Sequence, residues 1–384
     1  MITFSRFSSF ALFAVVLGLS SCSKDKDVVT PSTPALRTTV DYNSLTATTP
    51  YTTTFKNAAG ASTVDLGTSA VRLNMFTELN SYMAIVASTT PAPLDAAKLR
   101  NLYANASAPF ANDALNASGV QLRDKTAASF SEANAAAVRT YIDTKLGELA
   151  TASQNVSQTA TDGAAGRVGR YLVDGRGFEV NQVIQKGLIG ALLLDQIGNV
   201  LLSPASLAAD NSKVVAGQVY SEREHNWDLA YGYMTANATM LTDYTITPRE
   251  RFLAGYLNEK NGPASPAVYL AFLKGRAAIV NNDEATLRAQ ADLIRTELEK
   301  TIAKSAVSYL EKWRAEPDAA VKAHALGEGL GFVYSLRFCT KFGVDNAWAD
   351  AVLNRLTANP RGAYGLTNTE ANAAIVAINS KFTL

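Results

Sequence analysis

Apolar residues enter this chain first as one unbroken run and afterwards as spaced stripes. The run, residues 10–19, has the length of a signal-peptide core and is too short to span a bilayer as a helix. From Ser69 onward the apolar positions recur at three- and four-residue intervals. Val71, Leu73, Phe76, Leu79, Met83 and Ile85 mark a first amphipathic helix. The same periodicity predicts helices over 94–104 (opened by Pro93 and Asp95), 131–149 (rich in Ala), 178–197 (apolar enough to be buried) and 212–241. It continues over 265–280, 283–314, 317–341, 345–356 and 367–381. Thr247-Pro248-Arg249-Glu250 reads as a helix start, with Thr as N-cap, Pro at the first helical position and Glu closing a capping box. Thr367-x-x-Glu370 has the same box. Residues 38–66, rich in Thr, Tyr, Asn and Gly, read as loop with one or two short strands, and 152–169 as loop. No segment after Ser69 alternates like an exposed strand. The predicted class is all-α, a multi-helix bundle with a short irregular N-terminal region.

The N-terminus adds a targeting signal. Arg6 is the only charge among the first twenty residues, and the apolar run ends in Leu19-Ser20-Ser21-Cys22. Small residues before a Cys at that point resemble the bacterial lipobox. The resemblance implies a signal peptide over 1–21, cleaved before Cys22, and a membrane anchor of acyl chains on Cys22. Residues 22–37, polar and Pro-containing, read as a flexible tether. Its Ser23-Lys24-Asp25-Lys26-Asp27 cluster resembles the surface-export signal of Bacteroidetes lipoproteins, and a plain solvated periplasmic linker is the other reading. The expected location is the outer membrane, facing either the periplasm or the surface.

Residues 38–384 remain for one helical domain, with 69–245 and 246–384 as candidate pseudo-symmetric halves. Hydrophobic residues make up 47% of the chain, enough for a large core, and 35 basic against 34 acidic residues leave a net charge of +1. That balance gives no basic stripe for nucleic acid. With Cys22 assigned to lipid, Cys339 stands alone, so no internal disulfide is expected. Its neighbours Leu336, Phe338 and Phe342 point to a buried, inert thiol.

Chemistry is suggested by the only two histidines. Glu224-His225-Asn226-Trp227-Asp228-Leu229-Ala230-Tyr231-Gly232-Tyr233 and Ala323-His324-Ala325-Leu326-Gly327-Glu328-Gly329-Leu330-Gly331-Phe332 share a pattern. In each, a His is followed by an acid three or four residues on, then by Gly and an aromatic residue at the seventh and eighth. On a helix, His225 with Asp228, and His324 with Glu328, share a face with Gly232 and Gly331 respectively, where a second backbone can approach. If the strings are symmetry mates, His225, Asp228, His324 and Glu328 could converge as a mixed N/O site for iron or zinc. The other reading is two satisfied polar pairs that fix helix register. Glu179, Gln182 and Lys186 form a polar stripe on an otherwise apolar helix, with Gly187 and Gly190 alongside. Such a stripe lines a pocket or joins a buried network, and with Trp227 these residues are the candidate ligand contacts. Gly-x-Ser-x-Gly, HExxH, P-loop and strand-linked GxGxxG motifs are all missing from the sequence.

Together, the lipobox, the His225-x-Trp227-Asp228-x-Ala230-x-Gly232-Tyr233 string, the Glu179…Gln182…Lys186-Gly187-Leu188-x-Gly190-Ala191 helix and the His324…Glu328-Gly329-x-Gly331-Phe332 string resemble a family of Bacteroidetes lipoproteins labelled domain of unknown function 4856. The chain is also distantly similar to imelysin-like proteins, helical envelope proteins associated with iron uptake. Their Gly-x-His-x-x-Glu motif is replaced here by Arg223, His225 and Asp228, and at the second string by Gly327 with the acid moved to Glu328. The resemblance implies an envelope lipoprotein that binds a small ligand or metal and is linked to iron or metal-complex uptake. Two alternatives accompany it. One is a metal-dependent, imelysin-like peptidase with Glu222 or Glu224 as general base. The other is a scaffold that binds an outer-membrane transporter.

Overall fold

The computed structural model describes residues 36–384; the expected signal peptide, Cys22 and nearly all of the tether lie outside the described residues. Eleven helices of nine residues or more carry the described fold: α1 Gly67–Met83, α2 Ala96–Ala104, α3 Glu132–Ser153, α4 Val180–Leu188, α5 Glu222–Met234, α6 Phe252–Lys260, α7 Ser265–Asn281, α8 Glu284–Ala315, α9 Ala319–Ser335, α10 Asn346–Thr357 and α11 Asn368–Phe382. No described helix is long and apolar enough to cross a membrane.

The central element is α8. Asp283 caps it by accepting from Thr286 N at 3.0 Å. Its buried positions Leu287, Ala291, Ile294, Leu298, Ile302, Ala306, Tyr309 and Trp313 follow each other at three- and four-residue steps. That stripe meets α7, α9, α6 and α11. Around it, α1 packs on α5, and α4 packs on α9. The box predicted at Thr367 with Glu370 forms in full, and side-chain caps also form at Asp95 and Asp345, where helices were expected to start.

Helix α4 does not end at Leu188 but widens into a π-helical stretch, Ile189–Leu201. The cause is local. An α-helix would bond Gly190 N to Lys186 O. Here the Ser335 hydroxyl stands between them, donating to Lys186 O at 2.6 Å and accepting from Gly190 N at 3.2 Å. A side chain inserted into the ladder shifts the bonding register to the wider turn. Gly190 permits this approach, because a Cβ there would fall 2.4 Å from Ser335 Cβ.

Five expectations are corrected. The strands lie at β1 Gly166–Val168 and β2 Tyr171–Val173, an antiparallel hairpin in register Gly166↔Val173, inside and just after the segment read as loop. Region 38–66 instead holds a short helix, Tyr51–Thr54, and one isolated bridge, Lys56↔Ser62. The helix expected over 212–241 shrinks to α5, because Ser221 and Glu224 form a capping box at its start and Thr235 turns extended at its end. Thr247–Glu250 starts no helix, since the Glu250 carboxylate serves Asn237 Nδ2 and Leu241 N, both at 2.9 Å, and α6 begins only at Phe252. Finally, α9 stops at Ser335 and gives way to two 3₁₀ turns before Gly343.

Candidate functional site

The first histidine string lies on α5. Trp227 is fully buried, donates Nε1–H to Phe272 O at 2.9 Å, and packs against Gly275 of α7; a Cβ at Gly275 would come within 2.0 Å of its ring. The next residue of α7, Arg276, is also fully buried. Its guanidinium bridges Asp228 (Nε to Oδ1, 2.9 Å) and Glu224 (2.7 Å) and reaches Thr63 Oγ1 at 3.1 Å. Burial works against its charge, but Asp228 and Glu224 outweigh burial and hold its pKa above the ordinary arginine value. Asp228 also accepts from Tyr51 OH at 2.7 Å and from Asp65 N at 3.2 Å. Glu224 completes the capping box by accepting from Ser221 N at 2.7 Å. All of these acceptors are therefore occupied by protein donors. His225 stacks on Tyr220 at 4.5 Å, and its Nδ1 lies 3.6 Å from Asp65 Oδ2, too far for a hydrogen bond. Burial pushes its pKa down, against the pull of Asp65.

The second string joins the polar stripe of α4. His324 on α9 meets Glu179 at 2.6 Å through Nδ1 and Glu328 at 3.5 Å through Nε2, and stacks on Tyr171 of the hairpin at 4.3 Å. Lys186 Nζ lies 3.1 Å from Glu328 Oε1, bonds Gln182 Oε1 at 2.8 Å and also bonds Gln185, which in turn bonds Asn80. Tyr256 of α6 donates to Glu328 at 2.9 Å. Burial opposes ionisation of Glu328, but Lys186, His324 and the Tyr256 hydroxyl hold its carboxyl below the ordinary range. Helices α4 and α9 come this close because Gly331 faces α4: a Cβ there would lie 2.6 Å from Lys186 Cβ and 2.9 Å from Val183 O. One buried oxygen, Glu179 Oε1, has no partner.

The structure thus brings together two groups that the sequence presented separately, His324 with Glu328 and Glu179 with Gln182 and Lys186. It does not bring His225 and Asp228 to them. Asp228 is spent on Arg276 and Tyr51, and Trp227 is packed between helices with no face toward solvent. Around His324 the two carboxylates lie against opposite ring nitrogens. Among the described residues, no group of three or more His, Cys, Asp and Glu side chains is placed to hold a metal ion.

A cleft that sequence reasoning missed lies on the other side of α4 and α9, walled by α3 and α10, with a volume of about 700 Å³. Its apolar surface comes from Val138, Tyr141, Val180, Val183, Leu330 and Tyr334. Tyr141 and Tyr334 stack at 4.2 Å, and the Arg337 guanidinium covers Tyr334 at 3.7 Å. Charges of both signs line it: Lys145 pairs with Glu148 at 2.7 Å, Arg337 pairs with Asp350 at 2.9 Å, and Arg176 caps the carbonyl of Asn359 at 3.0 Å beside Asp174. Burial pushes the Asp174 carboxyl up. The wall also carries Asn346 Oδ1, buried without a partner. Neither His nor Cys lines this cleft.

Fold and site together define a predominantly helical protein in which two helix pairs, α5 with α7 and α4 with α9, meet through buried ions, and the second pair also walls a cleft lined by apolar and charged side chains. The chain belongs to the family described as Domain of unknown function (DUF4856), whose model matches residues 50–384. No curated protein matches the chain, and no solved structure does.

Proposed function

We propose that this is a lipid-anchored envelope protein that binds a small organic ligand or a metal complex in the 700 Å³ cleft and passes it to an uptake system, with no catalytic step. The single observation behind this reading is the cleft itself, which has the volume typical of small-molecule sites and a lining of apolar side chains mixed with polar groups. Three cations, Lys145, Arg176 and Arg337, are balanced by three carboxylates, Glu148, Asp174 and Asp350. Such a lining suits a neutral or zwitterionic ligand with an apolar body, and Asn346 Oδ1 awaits an N–H or O–H donor from it. In this reading iron or zinc arrives inside the ligand and is not held by His225, Asp228, His324 and Glu328, and the acyl chains on Cys22 keep the protein near its transporter.

Ala137 and Asn354 are exposed and line opposite walls. Ala137→Trp and Asn354→Trp should fill the cleft without touching the core. Native mass spectrometry of the protein recovered from its own envelope fraction should show a small molecule on the wild type that both variants lack. An adduct retained at equal occupancy in both variants excludes the cleft as its site.

A further inference from the structure

Just ahead of α5, residues 212–220 make a tight turn closed by Val215 N to Tyr220 O and Gln218 N to Val215 O, each 2.9 Å, with Gly217 at φ +76°. The turn exposes Val214, Val215 and Val219 at 41%, 39% and 44%. A single exposed valine needs no explanation, but three within six residues make a patch. The chain's own N-terminal approach ends at this patch. Arg37 donates to Val219 O and pairs with Glu224 at 3.3 Å, so the start of the described chain is fastened beside Val219. Only thirteen residues separate Leu36 from Cys22; fully extended, that span reaches about 50 Å.

We propose that the valine turn is a membrane-contact surface, resting on the bilayer that holds the acylated Cys22. The inference depends on the lipid-anchor reading above and adds an orientation to it. Acyl chains attached within this reach raise the effective concentration of the turn at the membrane, so that a contact too weak to bind alone is populated. The partner is a lipid surface, which takes up small apolar tips at its interface, and the 700 Å³ cleft, built from other helices, is left free.

The test uses the acylated chain from residue 22 in vesicles of phosphatidylethanolamine and phosphatidylglycerol. Val215→Cys, Val219→Cys and Val376→Cys each receive an environment-sensitive fluorophore; Cys339 is buried and does not compete. Val376, 66% exposed on α11, is the apolar comparison site. A lipid-borne quencher should reduce emission at 215 and 219 several-fold more than at 376. Equal quenching at all three positions, with acyl chains on Cys22 seen by mass spectrometry, overturns the contact alone. A chain recovered without acyl groups overturns the anchor and the contact together. Self-quenching between labels at 215 without lipid quenching assigns the patch to a second copy and overturns the proposal.

Discussion

His225 and His324 stand in surroundings made of the same kinds of parts. Each stacks on a tyrosine and faces a carboxylate from the segment that opens a neighbouring helix: Asp65 ahead of α1 for one, Glu179 ahead of α4 for the other. Each precedes a buried acid that takes a cation and a tyrosine hydroxyl, Asp228 with Arg276 and Tyr51, Glu328 with Lys186 and Tyr256. The cations differ. Arg276 spreads a rigid fork over two carboxylates and Thr63, and every member of that network is buried. Lys186 is a point charge shared between Glu328 and two glutamines, beside a histidine that is 22% exposed. The guanidinium fixes directions, whereas the ammonium only neutralises charge. The first cluster is therefore a lock, and the second is a looser joint with an unpartnered carboxylate oxygen.

This difference can be broken by substitution. Arg276→Met leaves Asp228 buried without its cation and Glu224 with Arg37 alone, and should cost about 3–5 kcal/mol in urea unfolding. Lys186→Met leaves Glu328 with Tyr256 and His324 and should cost about half as much. Equal losses would contradict the distinction between lock and joint. Next in size are the close crossings. Gly275→Ala, against the Trp227 ring, should cost about 1–3 kcal/mol, and Gly331→Ala, against α4 backbone, a similar amount. The histidines come after these. His324→Ala, which removes a 2.6 Å bond to Glu179, should cost about 1 kcal/mol, whereas His225→Ala, which removes no hydrogen bond, should change stability by less than about 0.5 kcal/mol.

The smallest effect is a pH dependence. The pKa of His225 is lowered in the fold, so the unfolded chain binds its proton first as pH falls. Stability associated with neutral His225 is present above the ordinary imidazole value, about 6.5, and is lost on acidification. Denaturation curves of wild type and His225→Gln should agree at pH 8 and separate below about 6.5, with the variant relatively more stable. Separation in the opposite sense would mean that the folded state favours the charged ring.

Much of this architecture was readable locally. Caps at Asp95, Asp283, Asp345 and Thr367 sit where helix starts were predicted, and Gly232 and Gly331 mark close crossings, Gly232 by admitting Ser69 to where its Cβ would stand. The His324–Glu328 pair and the Glu179, Gln182, Lys186 stripe are periodic features, and both proved to be parts of one network. What escaped depends on distant partners. Arg276 is 48 residues from Asp228, and Asp65 is 163 residues from it. The available signal was a lone arginine inside the apolar helix 265–280, a charge that burial obliges to find acids. The Ser335 hydroxyl that widens α4 is 145 residues from Gly190, and the cleft draws its walls from four helices that no single periodicity links.

The central claim is that the two histidine clusters hold helices together and that binding belongs to the cleft. Its most direct test is elemental mass spectrometry on residues 36–384, prepared without tag or chelator and dialysed against micromolar iron and then zinc, for the wild type and the His225→Ala, His324→Ala double variant. The account predicts no stoichiometric metal on either protein and no difference between them. Near one equivalent of iron or zinc on the wild type, absent from the double variant, would contradict it and return the histidines to the centre of function.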